Sequence, residues 1–238
     1  MKRLAIVAGI AALAACGGDD GAAMGDDGID IPVDANASCD PATVLPSAYR
    51  PVASIATTLV NLTTTGGVTT GSVDATAGGL SAAADNPYIY VDLLAMKKVD
   101  VSDLTARESV AWDVAFKRSS LRTNGGDSGG GGRKLAIVEG ATSLAVTAPE
   151  TGYTEDDFTS DDCMFAGIPG GEPMTAFGEW YEYDSVTHAV TPKPDVYVVE
   201  RTDKSRTAFR VTSYYGDDAM PMRGAFYKVE AKQLPDAP

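Results

Sequence analysis

Alternation rather than helical recurrence organises the apolar positions of this chain. From Ala53 onward no window of about a dozen residues keeps apolar side chains at the spacing of an amphipathic helix, whereas shorter windows alternate with period two. Tyr88 to Leu94 is rich in aromatic and β-branched residues and follows the turn pair Asn86-Pro87. Ala111 to Phe116 sets Trp112, Val114 and Phe116 on one face. Val196 to Glu200 is a near-continuous apolar run with a charged end, and Ala208 to Tyr215 aligns Phe209, Val211 and Tyr215. Ala225, Tyr227 and Val229 alternate against Phe226, Lys228 and Glu230. Upstream, the Thr-, Val-, Ala- and Gly-rich stretch from Pro41 to Asp85 predicts a hairpin of Ser54–Leu62 and Val68–Ala75 around Gly66-Gly67. These strands belong to one sheet system, so residues 41–238 are predicted to form a single all-β domain.

The N-terminus has a different pattern. Met1-Lys2-Arg3 is basic, and the 12 residues Leu4 to Ala15 are apolar, too short for a stable membrane span but suited to a signal-peptide core. Leu13-Ala14-Ala15-Cys16-Gly17 resembles the bacterial lipobox, which implies cleavage after residue 15 and lipidation of Cys16. Gly17, rather than an aspartate, after that cysteine points by analogy to the outer membrane. Residues 17 to 40 carry seven aspartates and no lysine or arginine. So little apolar surface cannot offset the entropy of ordering, and 16–40 is expected to be a disordered acidic tether.

Charge and rare residues narrow the chemistry. Thirty-three acidic against 19 basic residues, a net charge of −14, argue against a nucleic-acid partner, which needs a basic face. The single histidine, His188, excludes bis-histidine and HExxH sites within one chain. With Cys16 lipidated, Cys39 and Cys163 remain. They either pair, as an oxidising compartment favours, or stay separate, leaving Cys163 open to a soft metal.

Gly126-Asp127-Ser128-Gly129-Gly130 matches the nucleophile motif of trypsin-like proteases and also G-x-S-x-G. No histidine precedes Ser128, so the trypsin-like order fails. The Ser–Asp–His order of α/β-hydrolases could be met through Asp156, Asp161 or Asp184 with His188. That fold needs a helix directly after the serine, and Gly129 to Gly132 is among the poorest helix starts. The segment reads as a glycine-rich loop, and no enzyme is expected.

Two neighbouring motifs, Trp112-Asp-Val-Ala-Phe-Lys-Arg118 and Leu121-Arg-Thr-Asn-Gly-Gly-Asp-Ser-Gly129, resemble the opening of the HmuY family of lipid-anchored haem-binding proteins. Gly178-Glu-Trp180-Tyr-Glu-Tyr183, Thr187-His188, Val196-Tyr-Val-Val-Glu-Arg201 and Phe209-Arg-Val-Thr-Ser-Tyr-Tyr215 follow in that family's order, over roughly Pro87 to Glu230. The resemblance implies an all-β fold that holds one haem between loops and passes it to an outer-membrane haem receptor without catalysis. Trp112, Asp113 and Asn124 are expected to support the fold rather than the ligand.

The family's iron ligands do not carry over. The best-known members use two histidines, one in the loop before the tryptophan and one five residues after it. Here the latter position is Ser185, and Gly152 to Gly178 holds no histidine. Met174 is the first candidate for the iron, His188 the second and Met164 the third; Met220 and Met222 form another pair. Each methionine is also an ordinary packing residue. A thioether ligand would favour ferrous iron. The alternative function is a binding module that keeps the fold but recognises another small molecule or a protein through an apolar patch at Trp180, Tyr181 and Tyr183.

Overall fold

The computed structural model describes residues 39–216 and 223–235. A six-stranded antiparallel sheet runs in the order β1 (Val60–Thr65), β2 (Val68–Asp74), β12 (Phe226–Gln233), β11 (Arg206–Ser213), β10 (Val196–Glu200), β7 (Lys134–Val138). A four-stranded sheet has the order β4 (Lys97–Val99), β3 (Ile89–Asp92), β5 (Val114–Lys117), β6 (Ser120–Thr123). A separate hairpin pairs β8 (Tyr181–Tyr183) with β9 (Val190–Pro192). The α-helices are single turns, α1 (Pro41–Val44) and α2 (Asp103–Ala106). The protein is all-β.

Period-two alternation builds the core. Ile89, Val91, Val114 and Phe116 from the smaller sheet meet Val73, Tyr197, Val199, Phe209, Val211, Tyr227 and Val229 from the larger one. Phe116 makes edge contacts with Phe209 and Tyr227, at ring distances of 6.0 and 5.3 Å, each pair adding about 0.5–1.5 kcal/mol beyond its buried area. The run Val196 to Val199 of β10 is apolar on both faces because both are covered. Val196 and Val198 turn away from the main core and pack with Leu144, Ala208 and Leu234. The outer face of the smaller sheet, Tyr88, Tyr90 and Ala115, is covered by Tyr49, Ala106 and Trp112.

The glycine-rich connection is a scaffold. Trp112 is buried and its Nε1 donates to the Ala106 carbonyl at 2.8 Å. Asn124 donates to the carbonyls of Ser109 and Trp112 and accepts from Gly131 N. Asp113, fully buried, accepts from Arg133 Nε at 2.7 Å, Arg201 Nη2 at 2.5 Å and Leu93 N at 2.7 Å. Gly126 needs to be glycine: its φ is +56°, and a Cβ there would lie 2.1 Å from the Asp156 carbonyl oxygen.

Ser128 belongs to this scaffold as well. Its hydroxyl donates to Asp156 Oδ2 at 2.5 Å, and Asp156 also accepts from Thr123 N, Thr123 Oγ1 and Ala176 N. Complete burial outweighs these four hydrogen bonds and pushes the Asp156 carboxyl up to about 6. The folded state therefore holds this proton more tightly than the unfolded chain. The resulting stabilisation is complete below about pH 4 and is lost as pH rises through about 6. A ¹³C NMR titration of the Asp156 carboxyl should show a midpoint near pH 6, and the parent should lose stability relative to Asp156→Asn between pH 4 and 6. A midpoint below 4 would contradict the assignment.

Several details differ from the alternation pattern. Gly66 and Gly67, with φ of +59° and +79°, close β1 onto β2 in the expected two-residue turn. The first strand begins only at Val60, and Ser54 to Leu59 contributes an isolated bridge at Ile55. A bulge between Val211 and Ser213 shifts the register of β11 against β12, so Tyr214 enters the core while Tyr215 packs at its margin. Asp40 caps α1 through Ala42 N, and Cys39 is buried and bonded to Cys163. These two residues, expected at the end of the tether, thus belong to the fold, and the expected bridge is present. The signal peptide, Cys16, the tether up to residue 38, Met220 and Met222 lie outside the described residues. No helix among the described residues is long and apolar enough to cross a membrane.

Candidate functional site

The β8–β9 hairpin stands against one end of the sandwich, and a cleft of about 1200 Å³ opens beside it. Tyr181, Tyr183, His188, Val190 and Lys193 form the hairpin wall. Ile168, Pro169, Gly170 and Glu172 come from the long loop before β8, Arg118 and Ser119 from the β5–β6 turn, and Tyr214, Tyr215 and Gly224 from the region between β11 and β12. The volume is ample for a small organic ligand, whose pockets are commonly about 300–1,000 Å³.

Trp180 anchors the hairpin. It is buried among Tyr181, Tyr214 and Tyr227, and its Nε1 donates to Ser119 O at 2.8 Å. Trp180 therefore offers no exposed patch, and of the three residues expected to form one only Tyr183, 56% accessible, is exposed. Glu172 lies on the cleft floor. It accepts from the Ser119 hydroxyl and from Tyr181 Oη at 3.1 and 3.2 Å, and burial raises its pKa.

The hairpin turn is fastened locally. Asp184 Oδ1 accepts from Val186 N at 2.8 Å and Thr187 N at 3.2 Å, and Asp184 N donates to Ala189 O. Its carboxyl is held below the usual range by hydrogen bonds from the Thr187 side chain and the Val186 and Thr187 backbone. His188 closes the turn in the left-handed region, at φ +59°. That conformation returns the imidazole to β8, where Nδ1 and Tyr183 Oη are 2.6 Å apart.

The long loop folds into two successive turns, bridged at Thr159–Phe165 and Gly167–Pro173. The Cys39–Cys163 bond holds the first turn, and Pro169, Gly170 and Gly171 reverse the second to make a cleft wall. Of the three candidate iron ligands, only His188 borders the cleft. Met164 and Met174 sit on this loop, 67% and 46% accessible, and are not among the cleft-lining residues.

Four phenols bring oxygen donors to the cleft, Tyr181 and Tyr183, which the sequence marked only as part of an apolar patch, and Tyr214 and Tyr215. Tyr181 donates to Glu172, and its own pKa is raised by burial and by that carboxylate. Burial pushes Tyr214 up to about 12. Tyr215 Oη accepts from Val190 N at 3.0 Å. Tyr183 faces His188. No group of three or more His, Cys, Asp or Glu side chains among the described residues forms a bare-metal site. The cleft instead offers aromatic walls, one imidazole, phenol oxygens, three carboxylates, Glu172, Glu179 and Glu182, and two cations, Arg118 and Lys193, the latter 3.9 Å from Glu179. The aromatic walls, the imidazole and the phenol oxygens fit a flat, largely apolar metal complex, which is the chemistry of haem.

No curated protein matches this chain. Solved structures with a similar course include a Bacteroides fragilis protein described as a lipoprotein (18% identity, 76% of this chain and 95% of that one, TM-score 0.49). A Bacteroides vulgatus protein described as an HmuY-like haem-binding protein (21% identity, 70% and 91%, TM-score 0.45) is another. The apo HmuY analogue of Tannerella forsythia (15%, 76% and 99%, TM-score 0.47) is a third. The HmuY protein family model matches residues 84–226. That match runs from the turn before β3 to the first residue of β12 and takes in every described cleft residue except Leu80, so the chain belongs to the HmuY family.

Proposed function

We propose that the protein is a lipid-anchored, non-catalytic haem-binding protein of the bacterial outer membrane that carries haem toward an outer-membrane haem receptor. The tyrosine-rich cleft beside the β8–β9 hairpin carries this reading, since it joins aromatic walls to iron donors within the span matched by the HmuY family. In this arrangement residues 1–15 are the signal peptide, 16–38 the tether bound through lipid at Cys16, and 39–238 the haem-binding domain, which takes in Cys39 and Asp40. Arg118 supplies positive charge for the haem carboxylates, and Lys193, shared with Glu179, adds to it. Haem brings the iron, and the chain's own residues orient it and exclude water. From the cleft as it stands, ligation falls to His188 and the phenols. Ligation by Met174 or Met164 requires the loop that carries them to rearrange.

Titration of the purified protein with micromolar haemin should produce a shifted Soret band that saturates at one haem per chain. Absence of any shift would leave the family's fold without its ligand and favour a module for another small molecule or a protein. Cys16→Ser should move the protein from the membrane to the soluble fraction, and unchanged membrane association would count against lipidation.

A further inference from the structure

We propose that Tyr183 ligates ferric haem iron through its phenolate oxygen and that His188 is the base that receives the phenol proton. The assignment rests on the haem-binding reading of the cleft and names the donor that reading leaves open.

The four phenols of the cleft differ in what their hydroxyls already hold. Tyr181 already donates its hydroxyl proton to Glu172, and releasing that proton would place a second negative charge beside a buried carboxylate. Tyr214 is buried, 6% accessible, and held as a neutral phenol. Tyr215 engages its oxygen with Val190 N. Tyr183 alone combines an accessible ring with a nitrogen base against its hydroxyl, at 2.6 Å. Both partners border the cleft.

The turn makes this pair durable. Tyr183 is fixed in register opposite Val190, and the Asp184 hydrogen bonds and the positive φ of His188 set the imidazole's direction. In the tautomer with its proton on Nε2, Nδ1 accepts from the phenol and that Nε2 has no lone pair for iron. The phenol oxygen keeps its own lone pairs. When iron arrives, the Tyr183 O–H bond breaks, its proton moves to His188 Nδ1, and an oxygen lone pair forms the bond to iron. The charges balance as phenolate and imidazolium, and no oxidant or reductant is consumed. Phenolate is a hard donor and favours ferric over ferrous iron, opposite to the preference of a thioether.

The test uses the purified protein, Tyr183→Phe and His188→Ala, each titrated with ferric haemin and with dithionite-reduced haem, and resonance Raman spectra of the ferric complexes. Both side chains are exposed, so the variants should keep the parent's circular dichroism and melting temperature. The parent should bind ferric haem more tightly than ferrous and show phenolate ring modes. His188→Ala should keep those modes while losing roughly 10–100-fold in ferric affinity, as expected for an outer partner of a ligand. Tyr183→Phe should lose the modes and more affinity than that. Gallium(III) protoporphyrin, read by fluorescence, should rank the three proteins in the same order without redox chemistry. A parent complex without phenolate modes, or Tyr183→Phe binding like the parent, overturns the assignment while leaving haem binding intact. Loss of binding in His188→Ala alone would make the imidazole the ligand and overturn it too. A parent that binds no haemin overturns the haem reading and this assignment with it.

Discussion

Asp113→Ala should destabilise the protein by about 3–5 kcal/mol, because it leaves buried guanidinium charge without its partner. Asp113 is 1% accessible and receives Arg133, Arg201 and the Leu93 amide. These donors come from the segment after the glycine-rich loop, the residue following β10, and the residue following β3, so one carboxylate joins both sheets at a single point. Arg201 would keep Asp92, and Arg133 would keep the Gly131 and Val110 carbonyls. Neither retains a counter-charge matched to the geometry Asp113 provides. Asp113→Asn should also be destabilising, since an amide cannot accept on both of its heavy atoms. Urea unfolding at 25 °C should show the midpoint falling with little change in slope. A loss under about 1 kcal/mol for the alanine variant would mean that the guanidinium groups find water or other acceptors at little cost.

The same carboxylate illustrates which parts of this molecule a sequence discloses. The Trp112-Asp113 motif reads as structural because its residues match an opening motif and because a buried tryptophan beside an acid needs partners. The identity of those partners, Arg133 and Arg201, follows from sheet packing that brings residues 20 and 88 positions away onto one atom pair. Long alternating segments were legible: β3, β5, β10, β11 and β12 each bury a regular side-chain set. Short polar strands were not. The Ser120–Thr123 strand carries one apolar residue, and it is fixed by Asp156 holding Thr123 and by Thr175 reaching the Leu121 carbonyl. The bulge after Val211 was equally hidden, because one extra residue inverts the faces of all that follow it. At the site, His188 stood out as a lone histidine, but its pairing with Tyr183 depends on a backbone turn of left-handed φ. Alternation cannot signal a contact between residues five apart. Met174 and Met164 drew attention through loop position, and loop position alone does not say which side chains face a cleft.

Removing the Cys39–Cys163 bond should have the second large effect, a loss of about 2–5 kcal/mol. The two cysteines are 124 residues apart, and the entropic account gives about 5 kcal/mol for closing a loop of that size in the unfolded chain. The observed loss should fall below that ceiling because Cys39 lies near the start of the fold. Once the bond is gone, the segment from Cys39 to Pro51 can lift without unfolding the sheets. That segment buries Leu45 and Tyr49, and Tyr49 packs with Tyr88, Tyr90 and Trp112 over the outer face of the smaller sheet. At its other end the bond holds the Ser160–Met164 turn, whose loop continues to Ile168–Glu172 and forms a wall of the cleft. Stability and ligand binding should therefore weaken together. In calorimetry with and without reductant, and with the Cys39→Ser/Cys163→Ser variant, the melting temperature should fall by a similar amount under reduction and in the variant. Hydrogen exchange should become faster first in residues 39–51 and 158–172. Thiol counting on the denatured, unreduced protein should find no reactive Cys39 or Cys163. An unchanged melting temperature on reduction would mean that burial of Leu45 and Tyr49, not the covalent bond, keeps the first segment in place.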